Sequence, residues 1–349
     1  MIKKVKSLLK PYMKFFQTWF LKNSLWVNIL LIIGIIIFSL LNKNDYLQGV
    51  IVNILIYMIL ATALNATNGF SGQINLGVAG FVCIGAYTTA LMMTKLGTGY
   101  WIGMICSAVL AALVGIFVSI PTLRLKGIFL AIVSMGFSEI IRLVALNWSS
   151  LTGGPMGVKS IPHPTLFGIV IKSTSQFTFL TLFLLIICLI CTSRILNSKI
   201  GRAWLAIRED EDAASSLGIN TKYYRSLSFS YGAFWAGLGG SILPVFYKFI
   251  NSDMFSLEEG FNILSMVIIG GQGTILGPLL GSILVNTLGE VFRFAVEYRY
   301  VVYALIIIVI IWIRPQGIIG ASTVINKLRK TPDNKSDSSN HSPKTDTLV

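Results

Sequence analysis

The chain has 349 residues, of which 54% are hydrophobic and 12% charged, with a mean hydropathy of +0.75 and a formal net charge of +14. Soluble domains carry about 25% charged residues, so this composition excludes a soluble globular protein and requires a bilayer. The positive charge does not mark a nucleic-acid binder, because it flanks apolar runs and forms no separate basic face: Lys3, Lys4, Lys6, Lys10, Lys14 and Lys22 precede the first run, and Arg314, Lys327, Arg329 and Lys330 follow the last.

Residues 1–24 alternate lysines with Phe, Tyr and Trp, and are expected to lie in the membrane interface. The basic stretch is long and no A-x-A site follows, so it does not read as a cleaved signal peptide. Apolar runs long enough to cross a bilayer follow at about 25–41, 48–66, 78–96, 101–120, 128–146 and 177–195, then at about 226–249 and 300–314. They must cross as helices, because lipid offers no partner to an open N–H or C=O. LWVNILLIIGIIIFSLL lacks the polar–apolar alternation of a membrane β-strand. The fold class is therefore all-α, a polytopic helix bundle over residues 25–320. The tail, 321–349, is polar, lacks aromatics and is expected to be disordered.

Charge bias orients the bundle. With the N-terminus inside, parity brings the Arg124–Lys126 turn and the 196–225 loop inside, the latter with Lys199, Arg202, Arg208, Lys222 and Arg225. The 147–176 and 250–260 loops then lie outside. Region 261–294 spans about 50 Å as helix where one crossing needs about 30 Å. It is read as two short segments broken at GGQGTILGP, which restores parity and makes about ten membrane segments.

Three glycine-rich breaks interrupt the apolar pattern: NGFSGQINLGVAGF (68–81), LTGGPMGV (151–158) and GGQGTILGPLLG (270–281). Non-helical backbone at membrane depth is tolerated only inside protein or beside a water-filled cavity, and transporters use it to face substrate. On this reading Ser71, Gly72, Gln73, Asn75, Thr152, Gly153, Gly154, Gly271 and Gly273 line a substrate path. The other reading is close helix packing through small residues. Neither excludes the other. GGQGTILG is not a phosphate loop, since it lacks the Lys-Ser/Thr of a Walker sequence.

Catalytic and metal chemistry find no support. Only two histidines occur, His163 and His341, in loop and tail. Cys188 and Cys191 form a CxxC inside an apolar run and read as packing residues. Glu139 and Arg142 stand three apart on one helical face and can neutralise each other; Glu290 and Arg293 repeat the spacing. No relay of intramembrane acids marks a secondary transporter, and no ring of charges or carbonyls marks a channel.

The charged cassette GRAWLAIREDEDAASSLGIN (201–220) is the exception in an oily chain. It predicts a short amphipathic helix with Glu209 to Asp212 in its first turn, Asp210 or Asp212 as cap, a small apolar face of Ala213, Ala214 and Leu217, and Gly218 as stop. The E-x-A-A-x-x-L-G pattern from Glu211 to Gly218 resembles the EAA-type loop of ABC-transporter permeases. In its fuller form the cassette is similar to the LivM-type permeases of branched-chain amino acid importers. NGFSGQINLGVAGF, LTGGPMGV, GGQGTILGPLLGS and RPQGIIG agree in order and spacing, so the resemblance covers about residues 45–320.

The resemblance implies a permease subunit, not an enzyme, in a prokaryotic plasma membrane with both termini cytoplasmic. It implies a second, LivH-type permease subunit, two cytoplasmic ATPases that use ATP and Mg, and an extracytoplasmic substrate-binding protein. No cofactor is expected on this chain. The cargo implied is leucine, isoleucine and valine, with urea, short amides or other amino acids as the alternative and a secondary transporter as the competing class. Arg208, Glu211, Ala213, Ala214, Leu217 and Gly218 would couple the permease to the ATPases.

Overall fold

The computed structural model describes residues 44–125, 127–166, 169–291, 308 and 317–318. The interfacial 1–24 segment, the predicted 25–41 span, nearly all of the 300–314 span, Arg293 and the 321–349 tail lie outside the described residues.

The helices follow the hydropathy closely. Helix α1 is Asp45–Asn65 and continues as a π turn, Ala66–Phe70; α2 is Val78–Thr94, α3 is Tyr100–Thr122 and α4 is Ile128–Asn147. A one-turn α5, Ser149–Thr152, opens a long loop, and α6 spans Thr174–Leu196. The cassette holds α7, Lys199–Glu209, and α8, Glu211–Ser216. Then come α9, Thr221–Gly240; α10, Ile242–Tyr247; α11, Leu257–Gly270; and α12, Leu276–Val291. Four stretches among the described residues are long and apolar enough to cross a membrane: Asp45–Phe70, Tyr100–Thr122, Ile128–Asn147 and Thr174–Leu196. The predicted break in 261–294 is present, and it makes a helical hairpin of α11 and α12.

Helix α9 runs through the centre of the bundle. Its small residues let backbones close on it, as expected where helices pack without a hydrophobic drive between them. A side chain at Gly232 would press on the Ala63 carbonyl of α1; one at Gly240 would strike the Val82 carbonyl of α2; one at Gly237 would strike Ala111 of α3. Helix α1 is buried almost all round from Leu55 to Asn65. By contrast α3, α4 and α6 turn large apolar side chains outward, among them Ile105, Phe117, Phe129, Ile132 and Phe183. Such faces belong in lipid or against another membrane subunit.

Loops sort into two groups at opposite ends of the bundle. At one end, two short ribbons form among the described residues: β1 (Val158–Lys159) pairs antiparallel with β4 (Phe249–Ile250), and β2 (Thr165–Leu166) with β3 (Ile169–Val170). Lys95 Nζ donates to the Ser150 carbonyl at this end (2.7 Å), and Trp101 Nε1 to that of Thr165 (2.8 Å). The 71–77 break, the turn after α3, the cassette and the 271–275 break gather at the other end. This alternation is the one that charge parity predicts.

Candidate coupling site

The cassette is two helices, not one. Asp210 has an extended backbone (φ −159°, ψ 113°) that ends α7 and starts α8. Its Oδ1 accepts from the backbone N–H of Asp212 (2.9 Å) and Ala213 (3.0 Å), so Asp210 is the cap. Glu209 closes α7 rather than opening α8, while Glu211 and Asp212 occupy the first turn of α8, where carboxylates favour the helix dipole. At the far end Gly218 takes φ +82°; its N–H donates to Ser215 and that of Ile219 to Ala214, a complete Schellman stop.

The small face expected on α8 divides. Ala214 is buried against the chain's own structure, whereas Ala213 is exposed and Leu217 is 82% exposed. One helical residue turns the chain by 100°, so positions 213 and 217 share a face that 214 leaves. The outward surface is Ala213 and Leu217, bordered by acids.

Helix α7 anchors the cassette to the bundle. Ser198 caps it (Ile200 N to Ser198 Oγ, 3.1 Å), and Gly201, Ala203, Trp204 and Ile207 form its buried stripe. Trp204 packs on Ala66 and Phe70 of the π turn and donates from Nε1 to the Tyr224 carbonyl (2.9 Å). Arg208 reaches further: its NH1 donates to the Gly69 carbonyl at 2.6 Å. Gly72 (φ +71°) lies against the aliphatic part of Arg208, and a side chain at Gly273 (φ +76°) would strike its guanidinium. These two glycines leave the room that Arg208 fills.

Two of the three breaks therefore meet under the cassette. Asn65, at the end of α1 just ahead of the first break, holds the 271–275 break against it, accepting from Gly273 N (2.9 Å) and donating to the Thr274 carbonyl (2.8 Å). Gly271 (φ +118°) lies beside Gly317, and Ile318 N donates to the Ile269 carbonyl (2.8 Å), so part of the RPQGIIG motif docks here too. Within the first break, Gln73 Nε2 donates to Ser71 Oγ (2.5 Å), Ser228 Oγ (2.7 Å) and the Arg225 carbonyl (3.2 Å). Asn75 pairs with Asn68: its N–H donates to Asn68 Oδ1 (3.0 Å), and Asn68 Nδ2 returns a bond to its carbonyl (3.2 Å). Gln73, Ser71 and Asn75 are all buried, and each side chain makes at least one hydrogen bond within the protein.

The remaining path candidates lie at the opposite end. Thr152 Oγ1 donates to the carbonyls of Ala145 (2.6 Å) and Trp148 (2.7 Å). Gly153 (φ +77°) and Gly154 (φ +56°) turn the chain there. The nine candidates thus form two groups, one at each end. Near the second group Arg142 grips Glu139 (Nε to both carboxylate oxygens, 3.0 Å each) and reaches Asp253 (3.5 Å), as the i, i+3 spacing predicts for the first pair.

Arg225 is the residue that sequence reasoning missed; it counted only as loop charge. Hydropathy started the seventh span after it, but α9 begins at Thr221 and takes Arg225 into the bundle, 4% exposed. Its NH1 donates to Glu211 Oε1 (2.9 Å) and the Leu123 carbonyl (3.2 Å), its NH2 to the Leu125 carbonyl (3.0 Å) and its Nε to Gln73 Oε1 (3.4 Å). The available signal was R-x-x-S, which puts Ser228 one turn along the same face. Among the described residues, no group of three His, Cys, Asp or Glu side chains is placed to hold a metal.

Apolar helices of spanning length, glycine-mediated backbone packing and a charged loop helix together define an integral membrane protein of the polytopic helix-bundle class. The family described as branched-chain amino acid transport system / permease component matches residues 46–311, and the chain belongs to it. It is 35% identical over 289 residues to the high-affinity branched-chain amino acid transport system permease protein LivM of Escherichia coli, covering 76% of this chain and 68% of that one. The Salmonella typhimurium LivM is 34% identical over the same coverage. The Escherichia coli permease LivH is 28% identical over 292 residues, 77% of this chain and 92% of its own. No solved structure matches the chain.

Proposed function

We propose that this chain is a membrane subunit of an ATP-driven importer of leucine, isoleucine and valine. Its relatives' names supply the cargo. The bundle would have about ten membrane segments, with both termini and the cassette in the cytoplasm of a prokaryotic cell and the β1–β4 end outside. A LivH-type subunit would complete the membrane pair. Two ATPases holding ATP and Mg would dock on the cassette, and a binding protein would deliver substrate at the other end.

One observation carries this reading: a capped, terminated helix, α8, presents Ala213 and Leu217 outward while α7 ties the same loop to two membrane breaks. Closure of the ATPases would move α8 as a rigid body. Trp204 and Arg208 would pass that motion to the π turn and to the 271–275 break. The drive would come from the different ATP affinity of the two states, not from chemistry in this chain. Arg208, Glu211, Ala213, Ala214, Leu217 and Gly218 would form the coupling element. Because Ser71, Gln73 and Asn75 already bond within the protein, with Gly72, Gly271 and Gly273 packed beside them, this group fits an inner gate better than a substrate contact. Thr152, Gly153 and Gly154 would shape the outer mouth.

The test is reconstitution of the chain with its LivH-type partner, the ATPases and the binding protein in proteoliposomes. Uptake of radiolabelled leucine should require ATP inside and binding protein outside. Leucine uptake that a proton gradient sustains without ATP would overturn the proposal.

A further inference from the structure

We propose that Arg225 is a positioning residue that carries cassette movement into the bundle, and that Glu211 acts inward on Arg225 rather than outward on the ATPase. This rests on the coupling role given to the cassette above.

Arg225 gathers four segments at one buried point. Its guanidinium holds α8 through Glu211, the first break through Gln73, and the C-terminal end of α3 through the carbonyls of Leu123 and Leu125. Its own carbonyl accepts from Gln73 Nε2, and Gln73 also binds Ser228 one turn further along α9. A planar fork with five fixed donors can serve such a set; an ammonium cannot. The carbonyls at the end of α3 favour a cation there, but they carry only partial charge. Glu211 supplies the full counter-charge.

Exposure is uneven across this pair. The Arg225 side chain is 4% exposed and that of Glu211 24%. The acid is therefore the member that an outside event can reach, and the arginine is the member that must respond. Drawing α8 away would leave a buried cation with carbonyl acceptors alone, which is costly in a low-dielectric interior. Arg225 would then rebalance among Gln73, Leu123 and Leu125, and the α1–α2 break and the α3 end would move together. Glu211 Oε1 accepts from Arg225 at 2.9 Å, which directs the carboxylate inward.

The experiment uses the complete reconstituted transporter with Glu211→Gln, Arg225→Lys and the double variant, read as leucine moved per ATP hydrolysed and as ATPase retained on purification. In Glu211→Gln the ATPase should stay bound while leucine per ATP falls about fivefold or more, the lower end of ordinary site-to-site coupling. The double variant should be no worse than Arg225→Lys alone, because both changes break one link. Loss of ATPase from Glu211→Gln, multiplied losses in the double variant, or an unchanged leucine-to-ATP ratio in Glu211→Gln would each overturn the inference. Should Arg225→Lys fail to accumulate, Glu211→Asp replaces it: a ratio between wild type and Glu211→Gln supports the inference, and one equal to wild type or no better than Glu211→Gln opposes it. Absence of ATP-dependent uptake in the unmodified complex is a separate result and would sink the importer reading itself.

Discussion

Gly218 offers a graded test of the cassette. Its φ of +82° lies in the left-handed region, and an added β-carbon would meet nothing within 4 Å. Substitution therefore costs backbone strain without a clash. That strain is about 1–2 kcal/mol for an L-residue with a β-carbon, and less for Asn, which tolerates this region. Helix α8 has only six residues, too few to persist on its own, so its two ends sustain it: the Asp210 cap, worth about 1 kcal/mol, and the Schellman stop. A loss of 1–2 kcal/mol lowers the ratio of ordered to disordered α8 by about 5–30-fold. Leucine moved per ATP in proteoliposomes should then follow Gly > Asn > Ala, with Leu close to Ala and all four proteins inserting normally. Wild-type coupling in Gly218→Leu, or Asn performing as poorly as Ala, would refute this reasoning. A Leu variant far worse than Ala would show instead that a partner surface meets position 218.

Three further outcomes follow from the packing. Trp204→Ala removes a buried ring, a change that costs about 3–5 kcal/mol; thermal scanning in detergent should show a lower midpoint, and limited proteolysis should cut within 197–220 sooner. Gln73→Ala strips Ser228 and the Arg225 carbonyl of a donor, a loss of about 1–3 kcal/mol; it should lower the same midpoint while the KM for leucine stays unchanged, and a raised KM would restore a substrate contact at Gln73. Gly281→Val sets a branched side chain against the Met266 carbonyl at the α11–α12 contact, so size-exclusion profiles should show aggregated or absent protein.

Most of the bundle was legible from hydropathy because spanning helices are set by run length, a one-dimensional quantity. The predicted 128–146 and 177–195 segments appear as Ile128–Asn147 and Thr174–Leu196. The hairpin in 261–294 also followed from length, since that run is too long for one crossing and broken by glycine. The start of α9 did not follow, because hydropathy scores Arg225 as a water-facing charge and cannot see that Glu211, Gln73 and two carbonyls satisfy it. Division of the cassette at Asp210 was missed for a similar reason. A run of four acids reads equally well as one helical turn or as the end of one helix and the cap of the next.

The sequence by itself determined the membrane class, the helical fold, the alternation of loops between two ends and the family. Each of these rests on composition or on short motifs that act locally. Tertiary structure alone decided that residues near 72, 208 and 273 interlock, that Ala214 faces in while Leu217 faces out, and that Arg225 joins segments up to 152 positions apart. Glycine and buried polar side chains mark both a close helix contact and a lined pathway, so their meaning depends on what stands opposite them, and only folding brings that opposite surface into place.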